Sequence, residues 1–229
     1  MKKVFSTVFI LIFCFTITPF TFAQLQKGNF MVGGGLNYGI SNTESFDLIG
    51  TESELKSNVF LLKPKLGYLI TDNLVIGFEG SYSEFWQRVN VQSPSESTSI
   101  TDIKSIGAGA FMRKFFPVQD KFAFFGQFSS GYLSRNQENS LNQNNSTLDF
   151  ASISRIWDNR ISAGISFFPT HWIAIELQVI PVSFGIERTE ANGSNTPEWR
   201  TETSSSFFNF DLNTSSIFIG ANFFINRKK

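Results

Sequence analysis

Five ionisable side chains stand within stretches that are otherwise apolar or small: Lys63, Lys65, Glu79, Arg113 and Glu176. On an extended strand, residues two apart share a face. Each of the five falls on the face that carries Gly, Ser, Asn and Gln, opposite the one that carries Leu, Ile and Phe. Charges enclosed on one face must pair, because removing a single partner leaves an uncompensated buried charge. The expected chemistry is a salt-bridge network centred on Glu79 and Glu176. Such a network acts either as a packed plug or as a charged constriction that selects small solutes.

Other reactive side chains are scarce. His171 is the single histidine and sits beside Trp172 in a tight join, where it reads as an interfacial turn residue and not as a general base. No His/Cys cluster has metal-ligand spacing, so neither a metal nor a cofactor is expected. The acids Glu44, Asp47, Glu52, Glu54, Asp102, Glu138, Asp149 and Glu190 are scattered through polar stretches without EF-hand spacing, and read as solvated charges. Gly33-Gly34-Gly35 lacks the spacing of a phosphate-binding loop and lies within a strand pattern. With no nucleophile beside a base, no catalytic residue is assigned and no enzyme activity is expected.

The elements that must position these groups begin after an export signal. Lys2 and Lys3 precede an apolar run from Val4 to Phe22, and Thr21-Phe22-Ala23 offers small residues before a cut at Gln24. Residues 1–23 therefore read as a cleaved signal peptide and 24–229 as one domain. Cys14, the only cysteine, lies inside the signal behind Phe13, so neither lipid anchoring nor a disulfide is expected. Processing removes two basic residues and no acid, leaving 17 basic against 19 acidic and a net charge of −2. Nothing in that balance points to nucleic acid.

Eight segments then alternate with period two, at about 28–40, 55–70, 74–91, 101–116, 121–136, 155–168, 172–188 and 206–226. Their joins also alternate. Thr71-Asp72-Asn73, Pro117 to Asp120 and Pro169-Thr170-His171 are tight, whereas roughly 41–54, 92–101, 137–154 and 189–205 are long and polar. The expected fold is an all-β, eight-stranded antiparallel up-and-down transmembrane β-barrel, with its long loops outside the cell. A soluble barrel alternates too, with its apolar face inward. Three features favour the membrane form. The polar face is dominated by Gly, Ser, Asn and Gln, and charged residues make up 17% of the chain, below the roughly 25% of soluble domains. Aromatics form two expected girdles: Tyr38, Tyr82, Trp86, Tyr132 and Trp157 toward the long loops, and Phe116, Phe168, Trp172 and Phe224 toward the tight turns. An even strand number places both chain ends on the tight-turn side. Lipid cannot satisfy a free strand edge, so the sheet must close on itself.

One irregularity is predicted within this pattern. In the seventh segment the apolar residues occupy odd positions up to Val179 and even positions from Val182 onward. Pro181 cannot donate to a ladder, and one extra residue swaps the faces, so a β-bulge is predicted near Ile180–Pro181.

The stretch from Pro64 to Phe78 (PKLGYLITDNLVIGF) resembles a recurring hairpin of small outer-membrane barrels: an apolar strand ending in Gly-Tyr, a Thr-Asp-Asn turn and a second apolar strand with Gly. With the TFAQ cleavage region, the chain resembles the OmpA/OmpX/OmpW-like barrel families in the form common among Bacteroidetes. The resemblance implies an outer-membrane location, contact with outer-membrane lipid and lipopolysaccharide, and insertion by the barrel-assembly machinery. It implies a non-catalytic role in envelope integrity and surface interaction through four extracellular loops, or alternatively a narrow porin or carrier for small or hydrophobic solutes. The chain departs from the pattern where Phe224 is followed by Ile225 to Lys229 in place of a terminal aromatic, and no peptidoglycan-binding domain is implied.

Overall fold

The computed structural model describes residues 25–46, 52–92, 96–143, 146–193, 200–210 and 218–225. The expected signal with Cys14, the Asn226–Lys229 tail and the stretch between Asp211 and Ile217 lie outside them. Every element among the described residues is a strand: β1 (Phe30–Phe46), β2 (Glu52–Thr71), β3 (Leu74–Gln92), β4 (Ser97–Gln119), β5 (Phe122–Gln143), β6 (Ser146–Thr170), β7 (Ile173–Gly193), β8 (Arg200–Phe210) and β9 (Phe218–Ile225).

Consecutive strands from β1 to β7 pair antiparallel, and β9 pairs with both β1 and β7, so the sheet closes into a ring. Within the expected last strand at 206–226, two strands are described, with residues 211–217 between them outside the described residues. β8 lies on the upper part of β7, from Val182↔Phe210 to Asn192↔Arg200, and β9 on its lower part, from Ile173↔Phe223 to Gln178↔Phe218. The ring therefore has eight positions filled by nine strands. Short turns at Asp72–Asn73, Asp120–Lys121 and His171–Trp172 join strands at one end.

The long polar loops are corrected as well. Most of their residues continue the ladders: β1–β2 pairing reaches Phe46↔Glu52 and β5–β6 pairing reaches Gln143↔Ser146. Cross-strand side chains hold these polar hairpins together. The Ser45 and Ser53 hydroxyls lie 2.6 Å apart, Ser140 donates to Asp149 at 2.7 Å, and Thr101 donates to Asn139 at 3.0 Å. Thr and Ser pairs of this kind stabilise a ladder without any apolar alternation. A strand crosses a bilayer in about 9–11 residues, so the 22-residue β5 and 25-residue β6 extend well past that span.

The bulge is present. Ile161 pairs with Val182 and Ala163 with Val179, so Ile180 and Pro181 oppose the single residue Ser162. The extra residue restores an outward apolar face above the bulge, where Ile186 is exposed, after the odd-numbered Ile175 and Leu177 have faced out below it.

Inside the ring at the tight-turn end lies one apolar core, with Met31, Leu69, Val75, Phe111, Phe115, Phe125, Phe168 and Phe224 all buried. Leu25 joins it from below. Its segment is pinned by the Gly28 N–H to Leu69 carbonyl bond and by the Lys27 N–H to Asp72 carboxylate bond. Glycine makes room for the rings. Gly67 pairs with Gly77, and a Cβ on Gly77 would meet the Leu66 carbonyl oxygen at 2.2 Å and the Phe111 ring at 2.9 Å. Gly77→Val is expected to displace Phe111 and cost about 1–3 kcal/mol as an overpacking change, measured as a lower urea midpoint of the refolded protein.

Candidate functional site: a charged layer above an aromatic floor

The network grows from six consecutive strands, β2 to β7. Lys65 and Glu79 are direct cross-strand partners on β2 and β3. Arg113 of β4 opposes Gln127 of β5, and Glu176 of β7 opposes Ser166 of β6. All six side chains point inward and are buried.

Arg113 Nη1 donates to both carboxylate oxygens of Glu176 at 2.7 Å, and Arg113 Nε donates to Gln127 Oε1 at 2.9 Å. The same guanidinium lies 4.1 Å from the centroid of the Phe125 ring, so it caps the aromatic floor with a cation–π contact. Gln127 then links the two halves, because its Nε2 donates to Glu79 at 3.1 Å. Lys65 Nζ donates to Gln178 at 3.0 Å and lies 4.0 Å from Glu79. Ser166 donates to Glu176 at 3.0 Å. Both oxygens of Glu176 and one oxygen of Glu79 are thus engaged, and such partners are what make buried charges tolerable; Arg113 Nη2 is buried without a hydrogen-bond partner among the described residues.

Four of the five expected network residues are brought together in this way. Lys63 is not ion-paired among the described residues, and its ammonium lies 4.3 Å from the centroid of the Phe218 ring. One member was missed. Arg160 donates from Nη2 to Glu79 at 2.6 Å, and its Nε lies 3.3 Å from Asp158. Alternation offered the signal, since Ser162 faces inward and Arg160 and Asp158 follow at the same parity. Above the network is a cavity of about 170 Å³, lined by Leu61, Lys63, Glu79, Ser81, Asp158 and Arg160 among others.

The girdle residues divide. Tyr38, Tyr82, Tyr132, Trp157, Phe116 and Trp172 are exposed on the outer face, and Trp86 is half-buried there. Phe168 and Phe224 are corrected: both are buried in the inner core. The strand alternation that turns Ile165 and Phe223 outward turns them inward, where Phe168 meets Phe224 at 5.8 Å and Phe115 meets Phe224 at 6.2 Å between ring centroids. The lower outer band is built instead from the pairs Phe30–Tyr68, Phe122–Phe167 and Trp172–Phe223, with centroids 5.2, 4.9 and 5.8 Å apart.

His171 lies exposed in the turn it shares with Trp172. Among the described residues, no group of three or more His, Cys, Asp or Glu side chains could hold a metal ion.

No protein-family model matches the chain, and no curated protein matches it in sequence. Solved structures do show similarity. The outer membrane protein OprG from Pseudomonas aeruginosa has a TM-score of 0.49 at 15% identity, covering 88% of this chain and 97% of its own. The unliganded ferric citrate transporter FecA scores 0.39 at 9% identity over 82% of this chain and 43% of its own. CymD, a monoaromatic hydrocarbon channel, scores 0.26 at 10% identity over 94% and 92%.

Proposed function

We propose that this chain is an integral outer-membrane β-barrel without catalytic activity, whose projecting hairpins make surface contacts and whose filled interior keeps the envelope sealed. The observation that carries this reading is the inverted distribution of polarity. Outside, Phe78 is 72% exposed, Ile106 66% and Ile219 61%, within a continuous apolar belt. A belt on that scale far exceeds the apolar patches that soluble monomers leave in water. From Ile76 to Trp86 on β3 it is 11 residues tall, which matches the roughly 9–11 residues of a tilted membrane strand. Inside, the aromatic floor and the charged layer above it fill the tight-turn end. The isolated, exposed His171 and the mutual neutralisation of the buried ions support the absence of catalysis.

Planar-bilayer recording of the refolded chain tests the sealed interior. The expected result is no discrete conductance steps. Reproducible steps that change with Glu79→Gln would contradict it and favour a pore.

A second reading, a carrier for small or hydrophobic solutes, has one observation of its own. The β1–β9 ladder ends at Leu36↔Ile219, and β1 beyond that point pairs only with β2 among the described residues. Near the bulge, a cavity of about 630 Å³ joins the interior residues Lys63, Asp158 and Arg160 to Pro181, Phe208 and Phe210. That geometry suits sideways passage of an apolar solute between interior and lipid. Saturable binding of an apolar dye, lost in Ile180→Trp, is the expected result under this reading alone.

A further inference from the structure

We propose that Lys65 of β2 and Gln127 of β5 join spontaneously through an isopeptide bond, releasing ammonia and stapling together two strands that share no ladder. The bond goes beyond the sealed-barrel reading. It forms once per chain, as a self-modification and not as turnover of a substrate.

A nucleophile, an electrophile, a proton carrier and an oxyanion donor meet in one cluster. Lys65, Glu79, Gln127 and Arg113 are all buried. Lys65 Nζ lies 3.4 Å from Gln127 Oε1, one bond away from the carbon to be attacked. Glu79 Oε2 faces both reacting groups, 4.0 Å from Lys65 Nζ and 3.1 Å from Gln127 Nε2. Arg113 Nε donates to Gln127 Oε1 at 2.9 Å, where it polarises the carbonyl and is placed to hold an oxyanion. Gln178 accepts from Lys65 at 3.0 Å, but its nitrogen donates to Ser162. Among the described residues, Gln127 is the amide with a guanidinium on its oxygen and a carboxylate on its nitrogen. Packing that holds reacting groups this close replaces a bimolecular encounter with an intramolecular one.

Charge balance favours the loss of this ammonium. In the layer, the cations Lys63, Lys65, Arg113 and Arg160 stand against the acids Glu79, Asp158 and Glu176, an excess of one cation. Arg113 takes Glu176 at 2.7 Å and Arg160 takes Glu79 at 2.6 Å, so Lys65 is left with the longest ion contact of the layer. Converting it to an amide leaves as many cations as acids. An amine attacks only when neutral, and one proton passed from Lys65 to Glu79 removes two charges from a dry site. The amine then bonds to the Gln127 carbon, and the carbonyl oxygen becomes an oxyanion on Arg113. Glu79 hands its proton to the leaving amide nitrogen and takes the second proton from the attacking one. The old C–N bond breaks, ammonia leaves and carries off that last proton as ammonium, so Glu79 ends as it began. A cavity of about 20 Å³ lined by Lys65, Glu79, Gln127 and Gln178 has room for a molecule of that size.

The test is mass spectrometry of the full chain, held in denaturant or refolded into phosphatidylcholine vesicles. The refolded chain is expected to lose the mass of one ammonia, and its digest to contain the Lys65 peptide joined to the Gln127 peptide. The denatured chain should keep its full mass. K65R keeps the positive charge but removes the amine nucleophile, and E79Q keeps the shape but removes the proton carrier; both should show no joined peptide. A heated-versus-unheated gel shift confirms insertion of each chain. An inserted wild-type chain of full mass would overturn the proposal, and so would ammonia loss without the joined peptide. Joining to Gln178 in place of Gln127, or joining in E79Q as fast as in the wild type, would overturn the assigned roles. A wild-type chain that fails to insert overturns the membrane reading itself, whereas an inserted chain without the bond overturns the isopeptide alone.

Discussion

Glu176→Ala will lower the stability of the refolded protein by about 3–5 kcal/mol, the cost of breaking a buried ion pair from one side. Arg113 has no route to solvent, since its side chain is completely buried between the Phe125 ring and the Glu176 carboxylate. Guanidinium does not deprotonate in proteins, so the variant cannot escape by neutralising the arginine. Two hydrogen bonds of 2.7 Å and the Ser166 donation at 3.0 Å disappear together. The companion double variant Arg113→Leu/Glu176→Leu removes both charges and fills the space with apolar volume, so it will cost much less than the single change. Urea titration of the protein in vesicles, followed by the loss of the heat-sensitive gel shift, measures both. A single-variant cost below about 1 kcal/mol, the worth of an exposed pair, would show that the site is wet.

Phe115→Ala will cost about 3–5 kcal/mol, the range for deleting a buried phenylalanine. Phe115 is fully buried and lies 6.0 Å from Phe125 and 6.2 Å from Phe224, between ring centroids. It also lies 5.6 Å beneath the Arg113 guanidinium. Its loss therefore removes the centre of the aromatic floor and one face of support for the charged layer. The same urea titration reports the stability. Combining Phe115→Ala with Phe168→Ala and Phe224→Ala opens the tight-turn end, and planar-bilayer recording should then show conductance that the wild-type chain lacks. Wild-type stability in Phe115→Ala would mean that the rings do not close the interior.

The elements that alternate were legible from residues alone. Leu62, Leu66 and Tyr68 on β2 and Ile76, Phe78 and Tyr82 on β3 lie on the exposed face that hydropathy assigned them. Pro181 marked the bulge because it cannot donate and because apolar parity changes across it. The polar hairpins were read as loops because hydropathy is silent where both faces are polar. Pairs such as Ser140–Asp149 and Thr147–Asn142 hold the ladder there, and no period in hydrophobicity reports them. Phe168 and Phe224 lie near strand ends, as girdle residues do, yet their parity turns them inward. Either alternation or position suggests a girdle, but only alternation decides a facing. Arg160 stands out little in sequence because Ile161 and Trp157 dominate its surroundings, although its parity matches that of Ser162.

The account depends on the outward direction of the apolar face. Among the described residues no cysteine occurs, so single cysteines can be introduced at Phe78, Ile106 and Ile175 on that face and at Ser81, Ser129 and Ser162 on the other, each carrying a nitroxide spin label. In lipid vesicles, the first three labels should collide with dissolved oxygen and be shielded from a water-soluble nickel chelate, and the second three should be shielded from oxygen. The opposite assignment, with labels at Phe78, Ile106 and Ile175 protected from lipid-borne oxygen while the serine positions meet bulk solvent, would contradict the membrane barrel.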